Sequence, residues 1–262
     1  MNVKMKVRDR VRTSYRDIYL LPSFCSLGNL FFGFLSLFSS FRGRYAWAGF
    51  WVICAATMDA LDGIVARSSQ THSDFGRELD SLADSVSFGA APAILLYFWG
   101  LHGARTAGLF FSFIYLAAGV LRLARYNVRS AAQPDRRFYT GLTIPSSSMF
   151  LSSIVFFHPQ PLDDRLSVLL VALLALFLAF CMVSTIPYRN FMNFNLRKRI
   201  DLRTALLIAI LISTLIFYPK IFLVSFFTVN VLSGPVTALA RRFGPKAFRR
   251  SAKKEVSLKK AD

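Results

Sequence analysis

Four aspartates lie in two pairs within a stretch whose flanking sequence is strongly apolar. Asp59 and Asp62 are three residues apart, and Asp80 and Asp84 are four residues apart. In a helix, both spacings place the two carboxylates on one face. Charged side chains are costly inside a membrane unless something compensates them, so carboxylates at such positions indicate a functional site. Carboxylate oxygens are hard ligands suited to Mg²⁺ or Mn²⁺, and four of them on two adjoining helices predict a site for two divalent cations.

Three small residues and one arginine lie next to the aspartate pairs in the sequence. Gly63 follows Asp62 directly, and Ala66 and Gly76 are also small, so a helix backbone or a ligand can approach closely here. Arg67 can offer a phosphate group a bidentate partner at the helix end. Taken alone, the glycines would more often pack helices together, and Arg67 would more often anchor a helix end at the interface. Once cations neutralise the carboxylates, the site is suited to phosphate oxygens.

The elements that must position these residues are membrane helices, because hydrophobic residues make up 54% of the 262 residues. Five segments contain no Asp, Glu, Lys or Arg and have about the 20 residues that a bilayer crossing requires: residues 18–41, 85–104, 138–162, 166–188 and 221–240. Shorter apolar runs at 45–58, 106–121 and 204–219 become spans if charged motifs lie at their ends. We therefore predict an all-α, polytopic integral membrane helix bundle with about eight transmembrane helices.

The net charge of +18 could indicate nucleic-acid binding, but the Lys and Arg residues cluster in alternate predicted loops. Most of them lie in the N-terminal tail, after the fourth span, after the sixth span and beyond Arg241, and the opposite loops hold only Arg42, Arg44, Arg105, Arg165 and Lys220. This positive-inside pattern predicts that both termini are cytoplasmic. The basic face should attract anionic membrane lipids. Nucleic-acid binding would instead require a basic domain with interspersed aromatic residues, which the sequence does not contain. We predict basic cytoplasmic tails at 1–17 and 241–262, on either side of a transmembrane catalytic domain at 18–240.

The acidic motif resembles the signature of the CDP-alcohol phosphotransferase family. It reads D-x-x-D-G-x-x-A-R-x8-G-x-x-x-D-x-x-x-D from Asp59 to Asp84, and every fixed position is filled. The resemblance implies two metal ions, one held by Asp59, Asp62 and Asp80 and the other contacted by Asp59, Asp80 and Asp84. It also implies that Asp84 is the general base. The positions that match those holding the CDP moiety and its diphosphate are Gly63, Ala66, Arg67 and Gly76.

Sequence outside the motif bears on the alcohol that accepts the transferred group. Residues 21–34, which open the first span with unusual polarity, and residues 80–93, 122–127 and 141–145 resemble membrane-bound phosphatidylserine synthases. This resemblance implies transfer of a phosphatidyl group from CDP-diacylglycerol to the hydroxyl of L-serine, with release of CMP, by metal-assisted direct displacement. We expect a homodimer in the bacterial cytoplasmic membrane, with its active site on the cytoplasmic side.

The residues that would bind the acceptor are less defined by the pattern. Arg122, Arg125 and Asn127 lie near the end of the fourth span, and Arg189 follows the sixth. They could bind the serine carboxylate, the diphosphate or a lipid headgroup, or the arginines could simply anchor helix ends at the interface. Their role stays open between these alternatives.

Two other functions also remain open. The first is the same chemistry with glycerol phosphate, inositol phosphate or choline, although Ser81 and Ser85 stand where glycerophosphate-using relatives usually have Pro and Lys. The second is a cation transporter that uses the aspartate pairs. A transporter predicts carboxylates along a pathway through several spans, whereas these acids cluster near one face and the last four predicted spans carry no interior acid.

Overall fold

The computed structural model describes residues 24–69, 74–132, 138–189, 213–214 and 217–243. Side chains within these ranges are described except those of residues 64–69, 74, 129–132, 138–140, 187, 189 and 240–243. The predicted span at 204–219 and the two predicted basic tails lie almost entirely outside the described residues.

The described part of the chain is built from helices, with bounds as follows: α1 (Phe24–Phe41), α2 (Tyr45–Ser69), α3 (Asp74–Asp84), α4 (Ala91–Leu96), α5 (Arg105–Ala132), α6 (Ile144–Phe157), α7 (Arg165–Val183) and α8 (Pro219–Phe243). One π-helical segment, Ser85–Ala90, joins α3 to α4, and a second one, Tyr97–Leu101, extends α4, so that together they form one long rod. The rod ends in a 3₁₀ turn at His102–Ala104. The chain then turns at Arg105, whose φ is 49°, and α5 packs back against α4 and both π-helical segments.

Four helical stretches among the described residues are long and apolar enough to cross a membrane: Phe24–Phe41, Phe75–Val128, Arg165–Val183 and Pro219–Leu239. The second is 54 residues long and contains the turn before α5. The predicted helical membrane protein is therefore confirmed. The predicted number of eight spans and the location of the termini stay predictions.

The core of the bundle lies around α6, which packs against α2 and α8, while α5 packs against α7. Leu151 and Val155 of α6 are fully buried in it. Large apolar side chains on the outer helix faces are exposed, among them Phe31, Phe113 and Phe180. Such a distribution suits a bundle whose outer faces meet lipid and whose helices associate by close packing.

A short antiparallel ribbon departs from the predicted all-α fold. Strand β1 (Phe138–Thr140) pairs with strand β2 (Pro187–Arg189), with Tyr139 opposite Tyr188. Strand β1 lies in the charge-free segment at 138–162 and precedes α6, which starts at Ile144, and β2 begins at the end of the segment at 166–188. Gly141 adopts a φ of 81° that only glycine reaches without strain, and the Thr143 hydroxyl then caps the new helix.

Candidate active site

Three of the four aspartates come together between α2 and α3, and the fourth, Asp62, lies outside this close group. Asp59 and Asp62 lie on α2, and Asp80 and Asp84 lie on α3. One carboxylate oxygen from each of Asp59, Asp80 and Asp84 lies within 4.8 Å of the other two. Asp84 is buried, with 8% of its surface exposed. The helical spacing of three and four residues therefore does bring acids from both helices to one place.

The donor set of this cluster fits a hard divalent cation. All of its ligand atoms are carboxylate oxygens, the type that Mg²⁺ and Mn²⁺ prefer. Asp80 Oδ1 is buried and has no hydrogen-bond partner among the described residues. A buried acceptor without a partner calls for an ion or an ordered water. The identity and the number of the ions stay predictions.

Two of the aspartates accept hydrogen bonds from α1. The Ser26 hydroxyl donates to Asp62 Oδ2 over 2.6 Å, and the Asn29 amide donates to Asp84 Oδ1 over 2.9 Å. Sequence reasoning assigned neither residue to the site. The polarity of an otherwise apolar first span was the signal that could have indicated them.

A close contact holds α1 against the chain just beyond Asp84. The Ser87 hydroxyl donates to the backbone carbonyl of Asn29 over 2.9 Å. Gly33 faces the same serine, and a Cβ atom at this position would overlap Ser87. Ser87 belongs to the first π-helical segment, which begins directly after Asp84. Such segments inside α-helices occur frequently at functional sites.

Two of the predicted acceptor residues lie beside the acidic helices. Arg122 of α5 is buried, its positive charge acts on Asp84, and its guanidinium carbon is 5.3 Å from the centre of the Tyr126 ring. The Asn127 amide donates to the Ser81 hydroxyl over 2.8 Å and so links α5 to α3. Arg122 and Asn127 of α5 therefore both lie against the acidic part of the site, the first near Asp84 and the second on Ser81 of α3.

Arg125 lies at a different place, the C-terminal end of α7. Its guanidinium donates to three backbone carbonyl oxygens, those of Val183 at 2.8 Å, Met182 at 3.1 Å and Ser184 at 3.3 Å. Carbonyls at a helix end have no partner within the helix, so these bonds cap α7. A binding role for Arg125 would have to coexist with this capping.

The remaining predicted residues are placed by their helices or strands. Gly63 lies on α2 close to Asp62, and Gly76 lies on α3 one turn before Asp80. Ala66 and Arg67 lie on α2 and Arg189 on β2, but the side chains of these three are outside the described part of the structure.

Comparison with known proteins identifies the family. A family model described as CDP-alcohol phosphatidyltransferase matches residues 19–240. The chain belongs to this family. The match covers all four aspartates and every described helix up to residue 240 of α8, and it confirms the resemblance inferred from the acidic motif.

Several curated members of the family resemble the chain. A CDP-diacylglycerol–serine O-phosphatidyltransferase of Helicobacter pylori strain 26695 is 33% identical over 180 residues, which cover 66% of this chain and 73% of the relative. A protein of the same name from Bacillus subtilis is 30% identical over 171 residues, 65% of this chain and 90% of the relative. An archaetidylserine synthase of Methanothermobacter thermautotrophicus is 33% identical over 171 residues, 64% of this chain and 69% of the relative.

Proposed function

We propose that this chain transfers a phosphatidyl group from CDP-diacylglycerol to the hydroxyl of L-serine, producing phosphatidylserine and CMP. The observation that carries the proposal is the convergence of Asp59, Asp80 and Asp84 in a member of this family. The acceptor follows from the relatives, since those of H. pylori and B. subtilis are named for transfer to serine.

On the donor side, Asp59, Asp62, Asp80 and Asp84 would hold two Mg²⁺ or Mn²⁺ ions. When bound, such ions neutralise the carboxylates and the diphosphate oxygens, which favours departure of CMP. Gly63, Ala66 and Gly76 leave room for the CDP moiety, and Arg67 binds the diphosphate through its guanidinium. The acyl chains lie among the helices or in the bilayer.

On the acceptor side, Asp84 is the general base. It takes the proton from the serine hydroxyl, whose oxygen then attacks the phosphorus that bears the diacylglycerol. The new P–O bond forms as the bond from phosphorus to the CMP oxygen breaks. Arg122, which is buried with its charge acting on Asp84, is the residue we favour for an anionic group of either substrate.

The membrane setting is part of the proposal. The chain would form a transmembrane catalytic domain at 18–240 with about eight spans, between basic cytoplasmic tails at 1–17 and 241–262. The site would open to the cytoplasm at a bacterial inner membrane, where the basic face meets anionic lipids. The protein would work as a homodimer.

The test is to incubate the purified chain with CDP-diacylglycerol, Mn²⁺ or Mg²⁺, and labelled serine, glycerol phosphate, inositol phosphate or choline in separate reactions. We expect CMP release that requires both serine and a divalent ion, with the label recovered in phospholipid. Release with another alcohol and not with serine would show that the acceptor is wrong. No CMP release with any of the four would reject the transferase proposal as a whole.

A further inference from the structure

We propose that Ser26 and Asn29 are positioning residues of the acidic cluster. From α1, Asn29 holds the carboxylate of Asp84 within the cluster, and Ser26 holds that of Asp62, which lies outside the close group on the same helix as Asp59. Both leave the other oxygen of the carboxylate for a divalent cation. This inference rests on the proposed function in one respect, that the cluster binds a cation. It goes beyond it by assigning to α1 a share of the cation affinity.

The contacts are short, buried and directed at charged groups. Ser26 donates to Asp62 at 2.6 Å and Asn29 donates to Asp84 at 2.9 Å. Ser26 is 1% exposed and Asn29 is fully buried, so water does not compete for either bond. Each donor occupies one oxygen of its carboxylate. Hydrogen bonds to a charged acceptor in such surroundings are stronger than those between neutral groups.

Asn29 carries a second sign that the cluster is incomplete without a ligand. Its amide nitrogen is used by Asp84, but its carbonyl oxygen Oδ1 is buried without a hydrogen-bond partner among the described residues. Asp80 Oδ1 is in the same condition. Two buried acceptors of this kind on side chains of one site are unusual, and amide oxygens, like carboxylates, suit hard cations.

Two other serines of α1 donate to backbone carbonyls instead of to carboxylates, as is usual for hydroxyl groups in membrane helices. The Ser36 hydroxyl donates to the Ala48 carbonyl, and the Ser40 hydroxyl donates to the Ser36 carbonyl. Both bonds end on backbone oxygens and lie near the turn between α1 and α2. Ser26 and Asn29 instead reach carboxylates 36 and 55 residues further along the chain.

The backbone that carries Asn29 is itself fixed. Ser87 donates to the Asn29 carbonyl at 2.9 Å, and Gly33 allows α1 to approach Ser87 closely. The amide of Asn29 and the carboxylate of Asp84 are therefore tied together by backbone contacts as well as by their own bond. Partners that orient ligand side chains in this way typically contribute about 10–100-fold to metal affinity or activity.

The experiment measures Mn²⁺ binding to the purified full-length chain without substrate, by the electron paramagnetic resonance signal of free Mn²⁺. We expect Ser26→Ala and Asn29→Ala each to raise the Kd for Mn²⁺ about 10–100-fold. Ser26→Thr, which keeps the hydroxyl, should restore the wild-type Kd. Ser40→Ala is the matched control, because it removes a buried hydroxyl from the same helix away from the cluster.

The outcomes separate this inference from the proposed function. If the wild type binds Mn²⁺ and Asp59→Asn does not, the cation site stands. Wild-type Kd values in both alanine variants would then overturn the positioning role alone. If the wild type binds no Mn²⁺, the cation site fails and the inference fails with it. If Asn29→Ala does not fold, the comparison of Ser26→Ala with Ser26→Thr decides the question with a smaller change.

Discussion

Replacing Asp80 with asparagine should raise the stability of the cation-free protein. The variant should then gain little further stability when a divalent cation is added. Asp80 lies with Asp59 and Asp84 in the cluster, where ligand oxygens are within 4.8 Å of one another. Asp80 Oδ1 has no hydrogen-bond partner among the described residues. The substitution therefore removes the charge without breaking a hydrogen bond to this oxygen.

The magnitude follows from the distance. Two unit charges 4.8 Å apart repel by about 3.5 kcal/mol at an effective dielectric constant of about 20. If all three carboxylates were ionised, removing one charge would eliminate two of the three repulsive pairs, about 7 kcal/mol before screening, and proton uptake by such close carboxylates lowers this further. If screening removes three quarters of this, about 1.7 kcal/mol remains, which corresponds to a rise in Tm of about 3–7 °C.

The assay is thermal unfolding of the detergent-purified protein, with EDTA and with saturating Mn²⁺. Wild type should gain stability from Mn²⁺, because a ligand that binds only the folded state shifts the equilibrium towards it. Asp80→Asn should have the higher Tm in EDTA and lose most of the Mn²⁺ response. A lower Tm in EDTA together with an unchanged Mn²⁺ response would refute the reasoning.

Asp164→Asn is the matched control for this prediction. Asp164 is exposed before α7 and accepts a hydrogen bond from the Ser167 backbone, which lowers the pKa of the Asp164 carboxyl. It is therefore charged at neutral pH, and its replacement removes one charge of the same kind. Asparagine also caps helices, so α7 keeps its N-cap. The control should show the wild-type Mn²⁺ response.

Three further predictions concern the base, the cap of α7 and the packing of α1. Asp84→Asn should lower serine-dependent CMP release by about 10²–10⁴-fold, the usual contribution of a general base; a near-normal kcat would remove Asp84 from that role. Arg125→Ala should lower the free energy of unfolding by about 1.5–3 kcal/mol, because Arg125 donates to three carbonyl oxygens at the end of α7. Arg125→Lys should recover only part of this loss in thermal unfolding, and a selective rise in the KM for serine with unchanged Tm would instead indicate an acceptor-binding role. Gly33→Ala should reduce both Tm and Mn²⁺ affinity, because the new Cβ would overlap Ser87 and push α1 away from Asp84. Gly43→Ala is the control: its Cβ meets nothing within 4 Å, but its φ is +69°, so it should lower Tm and leave Mn²⁺ affinity unchanged.

Local spacing predicted the centre of the site well. Three- and four-residue separations on helices fix which side chains share a face, so the meeting of Asp59, Asp80 and Asp84 required only that α2 and α3 be neighbours. The family match at residues 19–240 agrees with the motif that these acids form. The helical membrane architecture also followed from the sequence, because long charge-free segments have few other stable forms.

The features that sequence did not predict all depend on contacts between distant segments. Nothing in local spacing brings Asn29 to Asp84 or pairs Tyr139 with Tyr188. Arg125 is a further example, because the sequence around an arginine near a helix end does not distinguish substrate binding from a contact with the carbonyls of α7. Such pairings are decided by how the helices pack, and helix packing in a membrane depends on shape more than on polarity.

The π-helical segment after Asp84 makes chain length a constraint in its own right. Ser85–Ala90 has wider turns than an α-helix, and both Asp84 and the Ser87 that contacts α1 depend on its winding. A π-helical turn holds one residue more than an α-helical turn, because its hydrogen bonds span five residues instead of four. Deleting one residue here would therefore let the segment rewind as α-helix and change its local winding. The number of residues between Asp84 and α4 is therefore constrained by the winding of this segment, independently of which side chains it carries.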